Sequence, residues 1–131
     1  FLYIQMYDYM ATLVKVVDGD TVDCDIDLGF GVWLKNQRIR LYGINAPETR
    51  TKDLEEKKAG QAAKLRLIAM MSNKFLLTTV KDKKGKYGRI LGTINVPVKK
   101  QLDKDGKKIK HIFVDINNKL VEEGHAKKVN Y

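Results

Sequence analysis

The sequence is poor in cysteine, histidine and proline, and it has no long hydrophobic run. The single cysteine, Cys24, excludes an internal disulfide and a cysteine-rich zinc site. The two histidines, His111 and His125, are too few and too isolated to predict a histidine-based metal site. The apolar runs are short and interrupted by charge, so no segment is predicted to span a bilayer.

The remaining composition is that of an ordinary globular domain, with 44% hydrophobic and 31% charged residues. The length predicts a single domain, residues 1–131, with a buried core. No signal peptide is expected, although a chain that begins at Phe1 could have lost an N-terminal segment. The apolar and aromatic residues 1–9 are interpreted as an extra strand, a partner surface or the remnant of a longer precursor.

Positive charge is concentrated in one stretch of a chain whose formal net charge is +9. Residues 81–110 hold eleven Lys and Arg against three Asp, whereas the rest holds 14 basic and 13 acidic residues. This stretch predicts a binding surface for a polyanion. Binding is favoured because each phosphate that Lys or Arg neutralises releases counterions. The alternative is a solvated lysine-rich loop.

Hydrophobic patterning predicts a protein built mainly of strands. About five strands, with a sixth short one, are predicted at residues 10–17, 22–28, 32–44, 75–80, 89–96 and 112–116. A long helix with a broad apolar stripe is predicted over residues 52–72, and a short one over 117–123, ended by Gly124. Residues 99–110 are predicted to form a charged hairpin or loop. Because strands dominate the first half, we predict a mainly β fold of the α+β class, a small barrel with helices at its edge.

The first of three segments with chemical potential is VDGDTV, residues 17–22. Asp20 has the same parity as the apolar Val22 and Cys24, so its carboxylate is predicted to point toward the barrel. An unpaired charge there would be costly, and a bound cation would compensate for it. The alternative is that Asp18 or Asp20 is a turn residue that hydrogen-bonds its own backbone.

The second segment is RLYGINAPET, which begins at Arg40. Pro47 favours an extended conformation at Ala46, so the Ala46 carbonyl oxygen is predicted to be held rigidly. Asn45 and Glu48 offer further oxygens, and ligation by oxygen alone suits Ca²⁺ or Mg²⁺. The alternative is a surface ion pair between Arg40 and Glu48, which contributes little energy.

The third segment is KYGR, residues 86–89, which lies in the basic stretch. The Arg89 guanidinium can bind two phosphate oxygens at once, which an ammonium cannot do. Tyr87 can stack or form a hydrogen bond. The alternative is an ordinary basic hairpin. Each segment alone is weak evidence, so the interpretation depends on their order and spacing.

In this order and spacing the three segments resemble the staphylococcal nuclease (thermonuclease) family. The resemblance covers residues 10–127, including an alanine-containing helix near residues 61–67 and a final N-x-x-L-V-x-x-G at residues 117–124. It implies an OB-fold-like five-stranded barrel with one long and one or two short helices packed at its edge. It also favours a secreted or extracytoplasmic location, which the composition leaves unknown.

The resemblance implies a role for each site residue. Arg40 and Arg89 are expected to grip the scissile phosphate, and Glu48 to orient or deprotonate the attacking water. Asp20, Asn45 and the Ala46 carbonyl are expected to bind Ca²⁺, or alternatively Mg²⁺ or Mn²⁺. Three further residues are expected to contact the substrate: Lys86, Tyr87 and Tyr131.

Asn45 is a departure from the family, in which many members carry a second aspartate ligand at this position. The lost negative charge predicts weaker Ca²⁺ binding, or support from Asp18.

The function implied by the resemblance is metal-dependent hydrolysis of phosphodiester bonds in DNA and RNA, with little sequence specificity and 3′-phosphate products. A monomer that prefers single-stranded substrates and binds no membrane is expected. The alternative is a catalytically impaired OB-type domain that binds nucleic acid or a partner. The joint presence of Asp20, Arg40, Glu48 and Arg89 favours the enzyme, because a binding module has no reason to keep acidic groups that repel phosphate. Asn45 favours the binding module.

Overall fold

The computed structural model describes residues 7–84, 88–102, 104–106 and 109–129. Its elements in chain order are β1 (Asp8–Asp18), β2 (Thr21–Gly29), β3 (Val32–Leu41), β4 (Ile44–Asn45), α1 (Leu54–Met70), β5 (Lys74–Lys84), β6 (Ile90–Leu102), β7 (Ile109–Asp115), α2 (Ile116–Glu122) and β8 (Lys127–Lys128). Both helices and the predicted strands are confirmed, except that the strand predicted over residues 32–44 ends at Leu41 and is separated from β4 by a turn. The two-residue strand β8 was not predicted. Among the described residues, the structure contains no helix that could span a membrane.

Five strands close into a barrel. β1 pairs in antiparallel fashion with β2 and β5, β2 pairs with β3, and β5 pairs with β6. A parallel contact between β3 and β6 closes the circle, with Ile39 beside Ile90 and Leu41 beside Gly92. The fold is therefore the expected OB-fold-like barrel of the α+β class.

β6 continues beyond the barrel as a two-stranded ribbon with β7. The pairing runs from Asn95 opposite Asp115 to Leu102 opposite Ile109, with a bulge between Pro97 and Lys99. Of the charged hairpin or loop predicted for residues 99–110, residues 99–102 and 109–110 belong to the outer part of this ribbon, and residues 103, 107 and 108 lie outside the described residues. A separate small sheet joins β4 to β8 and brings the end of the described chain back to the barrel.

The core forms inside the barrel because the strands alternate. Val22, Cys24 and Ile26 are buried as the pattern of β2 predicts. Burial raises the pKa of the Cys24 thiol to about 12, so this side chain behaves as a small protonated hydrophobe at neutral pH. The largest fully buried side chains are Phe75, Ile39, Leu41, Leu67, Leu77, Ile94, Ile116 and Leu120.

α1 begins after Asp53, whose carboxylate accepts hydrogen bonds from the first-turn N–H groups of Glu55 and Glu56. The broad apolar stripe predicted for this helix is wrong, because Leu65 and Ile68 are exposed. The buried positions form one narrow row, Gly60, Ala63 and Leu67. The small residues in this row let α1 approach the barrel closely. As a result, only a narrow face of the helix is buried.

α2 is capped by Asp115 and ends at Glu122, with Glu123 rather than Gly124 as its C-cap. Gly124 follows at φ +79° and donates to the Val121 carbonyl, while the next N–H, of His125, donates to Leu120. This is a Schellman motif, in which a residue after the cap adopts the left-handed conformation that glycine tolerates. The motif turns the chain toward β8.

The buried amide of Asn117 ties α2 to the barrel. Its oxygen accepts from the Ile94 N–H at 3.2 Å, and its nitrogen donates to the carbonyls of Tyr42 at 2.9 Å and Gly92 at 3.1 Å. These bonds engage the Ile94 N–H and the Tyr42 carbonyl and give a second donor to the Gly92 carbonyl, which also accepts from the Tyr42 N–H. The first residue of the N-x-x-L-V-x-x-G motif is therefore a structural one.

Candidate functional site

Asp20 lies in the turn between β1 and β2 and points inward, as its parity predicts, with 8% of its surface exposed. Its Oδ1 accepts from the Thr21 hydroxyl at 3.0 Å, and its Oδ2 accepts from the Ala46 N–H at 2.8 Å. The Arg40 Nη2 atom lies 3.3 Å from the same Oδ2. The Asp20 charge is therefore not unpaired, because Arg40 supplies a compensating charge from within the protein.

Arg40 is held from several sides at the end of β3, where it pairs with Thr21 of β2. Its Nη1 donates to the Leu41 carbonyl at 2.9 Å, and its Nη2 donates to Asn45 Oδ1 at 3.1 Å. The side chain is only 11% exposed. Arg40 therefore joins Asp20 and Asn45 instead of forming the surface ion pair with Glu48 that the sequence left open.

The segment after β4 carries Glu48 and is anchored on both sides of it. On one side the buried Ala46 donates its N–H to Asp20. On the other side the Thr49 hydroxyl donates to the Asp18 carboxylate. Glu48 itself is exposed between these two anchors. Asp18, considered from the sequence as support for a metal, thus holds this segment in place.

Glu48 lines an open cleft of about 330 Å³. Three walls form the cleft: the segment that carries Glu48, the first half of α1, and the turn after α2. Its lining residues are Asn45, Ala46, Pro47, Glu48, Glu56, Ala59, Gly124, His125, Ala126 and Lys127. The arrangement brings an exposed carboxylate, an amide and a lysine to one concave surface beside the Asp20–Arg40 pair.

Arg89 immediately precedes β6 and is half-buried. The parallel register places Ile90 beside Ile39 and Leu91 beside Arg40. Arg89 thus lies just before the start of the strand that pairs with the strand of Arg40. Three expected substrate contacts lie outside the described residues: Lys86, Tyr87 and Tyr131.

The donors near Asp20 fit a hard cation in kind, but their charge is low. Within the described part of the chain, no group of three or more His, Cys, Asp and Glu side chains is placed to hold a metal. A metal would therefore depend on mixed oxygen donors from Asp20, Asn45 and Ala46, which is the ligand type of Ca²⁺ and Mg²⁺. Arg40 already uses one oxygen each of Asp20 and Asn45. A cation here must compete with a guanidinium.

Sequence reasoning missed three residues that shape the site: Glu56 and Gly60 on α1, and His125 in the cleft wall. A glycine in the middle of a helical pattern is a signal for a close packing contact, so Gly60 could have been flagged. Nothing in the local sequence distinguishes Glu56 from its charged neighbours. The position of His125 depends on the turn after α2, which brings two distant segments together.

Comparison with known families relates the chain to one of them. The family model described as staphylococcal nuclease homologue matches residues 38–131. The match spans well over half of the chain and includes Arg40, Asn45, Glu48 and Arg89, whereas Asp20 precedes it. No match is found among curated proteins.

Proposed function

Since the chain belongs to the staphylococcal nuclease homologue family, we propose that it is a nuclease that hydrolyses phosphodiester bonds of DNA and RNA. The observation that carries the proposal is the convergence of Asp20, Arg40 and Asn45 beside the cleft that Glu48 lines. The proposed enzyme is a monomer with little sequence specificity, prefers single strands and leaves 3′-phosphate ends.

The two arginines would bind the phosphate. A guanidinium carries five N–H donors, more than the contacts of Arg40 with Leu41, Asn45 and Asp20 occupy. These contacts fix the orientation of Arg40 before substrate arrives. Together with Arg89, which lies just before the neighbouring strand β6, Arg40 would stabilise the negative charge that builds on the phosphoryl oxygens in the transition state.

Glu48 would act as the general base. Its carboxylate is exposed at the cleft, where water and substrate can reach it, and its backbone is anchored through Ala46 and Thr49. A base placed beside the attacking water removes the proton as the new bond forms.

The proposal includes a hard cation, Ca²⁺ or alternatively Mg²⁺ or Mn²⁺, held by oxygens of Asp20, Asn45 and Ala46. When bound, the ion would supply positive charge beside a phosphoryl oxygen and would position the attacking water. Asn45 contributes no charge and Arg40 offsets that of Asp20, so the affinity is expected to be low.

The basic composition of residues 81–110 supports a polyanionic substrate. Positive charge concentrated on one part of a protein steers nucleic acid toward it and makes binding weaken with added salt. Arg89, a proposed phosphate-binding residue, is itself part of this basic stretch.

The test is cleavage of a labelled single-stranded oligonucleotide by the full chain over a range of Ca²⁺, Mg²⁺ and Mn²⁺ concentrations. We expect cleavage that a chelator stops, 3′-phosphate products, and loss of activity in Glu48→Gln. The matched control is Glu55→Gln, which removes the same charge from an exposed position on α1 and should leave the rate unchanged. Absence of cleavage with all three metals would reject the enzyme.

The second candidate function is binding of nucleic acid without cleavage. The specific observation that favours it is that Arg40 already pairs with Asp20 and Asn45, so this cluster is electrostatically balanced without a metal. Fluorescence anisotropy of the same oligonucleotide distinguishes the two functions. Salt-sensitive binding together with uncut oligonucleotide would support the binding module.

A further inference from the structure

Gly60 occupies an unexpected place for a glycine. It is buried in the middle of α1, where glycine is the least favourable residue after proline. Among the described residues six glycines have positive φ, and Gly60 is not one of them. Its backbone conformation is therefore open to any residue, so the reason for a glycine must be the space around it.

That space is filled by the backbone that carries Glu48. A Cβ atom added to Gly60 would meet the Glu48 carbonyl oxygen in a severe clash, and it would lie 2.7 Å from the Glu48 carbonyl carbon and 2.8 Å from the Pro47 oxygen. All three are main-chain atoms, so no side-chain rotation relieves the contact. A larger residue must push residues 47–48 away from the helix by several tenths of an ångström.

The same face of α1 holds the neighbouring parts of the site. Glu56, one turn earlier, accepts a long hydrogen bond of 3.5 Å from the Glu48 N–H. Ala63, one turn later, packs against Gly19, where an added Cβ would lie 2.6 Å from the Ala63 Cβ and 3.0 Å from that of Ala46. One helical face therefore contacts both the Glu48 segment and the turn that carries Asp20.

We propose that Gly60 is a positioning residue for Glu48, an inference that rests on the proposed role of Glu48 as general base. The missing side chain lets α1 serve as a rigid support that sets where the Glu48 backbone lies. A displacement of about 1 Å can cost about 100-fold in rate. Gly60→Ala should therefore lower kcat about 10- to 100-fold with little change in KM, because the phosphate-binding arginines lie on other elements.

The experiment compares Gly60→Ala, Ala62→Gly and the double variant in the full chain. Ala62 is exposed on α1 and outside the cleft, so the double variant keeps one glycine in the helix and changes only its place. We expect both variants that carry Gly60→Ala to lose kcat equally and Ala62→Gly alone to retain it. Equal kcat for the double variant and the unaltered chain would overturn the proposal.

A second readout does not depend on activity. The Ala46 amide, bonded to Asp20, should exchange its hydrogen roughly tenfold faster in Gly60→Ala, measured by NMR. The Ile94 amide, bonded to Asn117, should remain protected and thereby show that the core is intact. Unchanged Ala46 exchange overturns the proposal, even where kcat falls. If the protein proves not to be a nuclease, this readout still tests the positioning separately.

If Gly60→Ala does not fold, Glu56→Ala replaces it. This change removes the acceptor of the Glu48 N–H from the same helical face without adding an atom. We expect faster exchange of the Glu48 amide and a lower kcat. Unchanged exchange or unchanged kcat would overturn the proposal.

Discussion

Two arginine–aspartate pairs link the same part of the barrel, and they differ in their surroundings. Arg38 of β3 donates two hydrogen bonds, of 2.9 and 3.1 Å, to Asp23 of β2 on the outer surface, where 49% of the Arg38 side chain is exposed. Arg40 lies two residues further along the strand, and its contact with Asp20 is almost closed off, with side chains 11% and 12% exposed.

Burial changes how much an arginine–aspartate pair matters for stability. At the outer pair, the hydrogen bond to Asp23 raises the pKa of Arg38, but water can solvate either partner, so the pair contributes little to stability. At the inner pair, removing Arg40 leaves the Asp20 carboxylate buried without a countercharge, which is costly. Arg40 thus compensates a charge within the protein and is proposed to bind a charge of the substrate.

Arg40→Ala should therefore change both stability and activity more than any other substitution considered below. It should lower the free energy of unfolding by about 3 kcal/mol, and the rate of cleavage by about 10²- to 10³-fold. Arg38→Ala is the matched control, since it should cost less than about 1 kcal/mol and leave the rate unchanged. Urea unfolding and the oligonucleotide assay measure both quantities.

A further variant separates the two effects of Arg40. In the Arg40→Ala background, Asp20→Asn removes the stranded charge and should recover part of the lost stability without recovering activity. Equal losses of stability for Arg38→Ala and Arg40→Ala would contradict the comparison.

Of the inner pair, the sequence predicts the position of Asp20 but not its pairing with Arg40. The alternation of β2 predicts the inward direction of Asp20, because parity along a strand is a local property. Its partner depends on the pairing of β2 with β3, which sets Arg40 opposite Thr21. The pairing of these two strands is a tertiary contact that the local sequence does not reveal. From the sequence, the predicted partner of the Asp20 carboxylate was therefore a bound cation or its own backbone, and not Arg40.

The same division applies to the rest of the molecule. The strands of the barrel could be predicted because the hydrophobic pattern of each strand lies within its own segment. The prediction of a broad apolar stripe on α1 was wrong, because Leu65 and Ile68 are exposed. The row of α1 that packs against the rest of the protein is instead determined by the close approach of Gly60 to the Glu48 backbone. The anchors of the Glu48 segment, at Ala46 and Thr49, also come from distant residues.

An intermediate effect is expected from Asn45→Asp, which changes the charge beside the inner pair. A second carboxylate raises the negative charge available to a hard cation, so Ca²⁺ binding should tighten about tenfold. Isothermal titration calorimetry measures it. Asp25→Asn, a charge change on the outer face of β2, should leave the affinity unaltered. Unchanged or weaker Ca²⁺ binding in Asn45→Asp would place Asn45 away from the metal and leave it as a partner of Arg40 alone.

The smallest effect is expected at a third pair on the surface, in which Arg66 of α1 donates two hydrogen bonds to the Glu123 carboxylate after α2. These bonds hold the pKa of Glu123 below its ordinary value of 4.5. Because the folded-state pKa is lowered, the stabilisation is complete above about pH 4.5 and is lost as the pH falls through the folded-state value.

The pH dependence of the Arg66 pair can be measured with Arg66→Gln. Its deficit in the free energy of unfolding, obtained from urea titrations, should be constant near neutral pH and should shrink as the medium becomes more acidic than pH 4.5. Lys58→Gln, an exposed change on the same helix, should show a smaller deficit without this acid dependence. A deficit for Arg66→Gln that stays constant into acid would mean that the pair contributes through packing of the arginine stem rather than through charge.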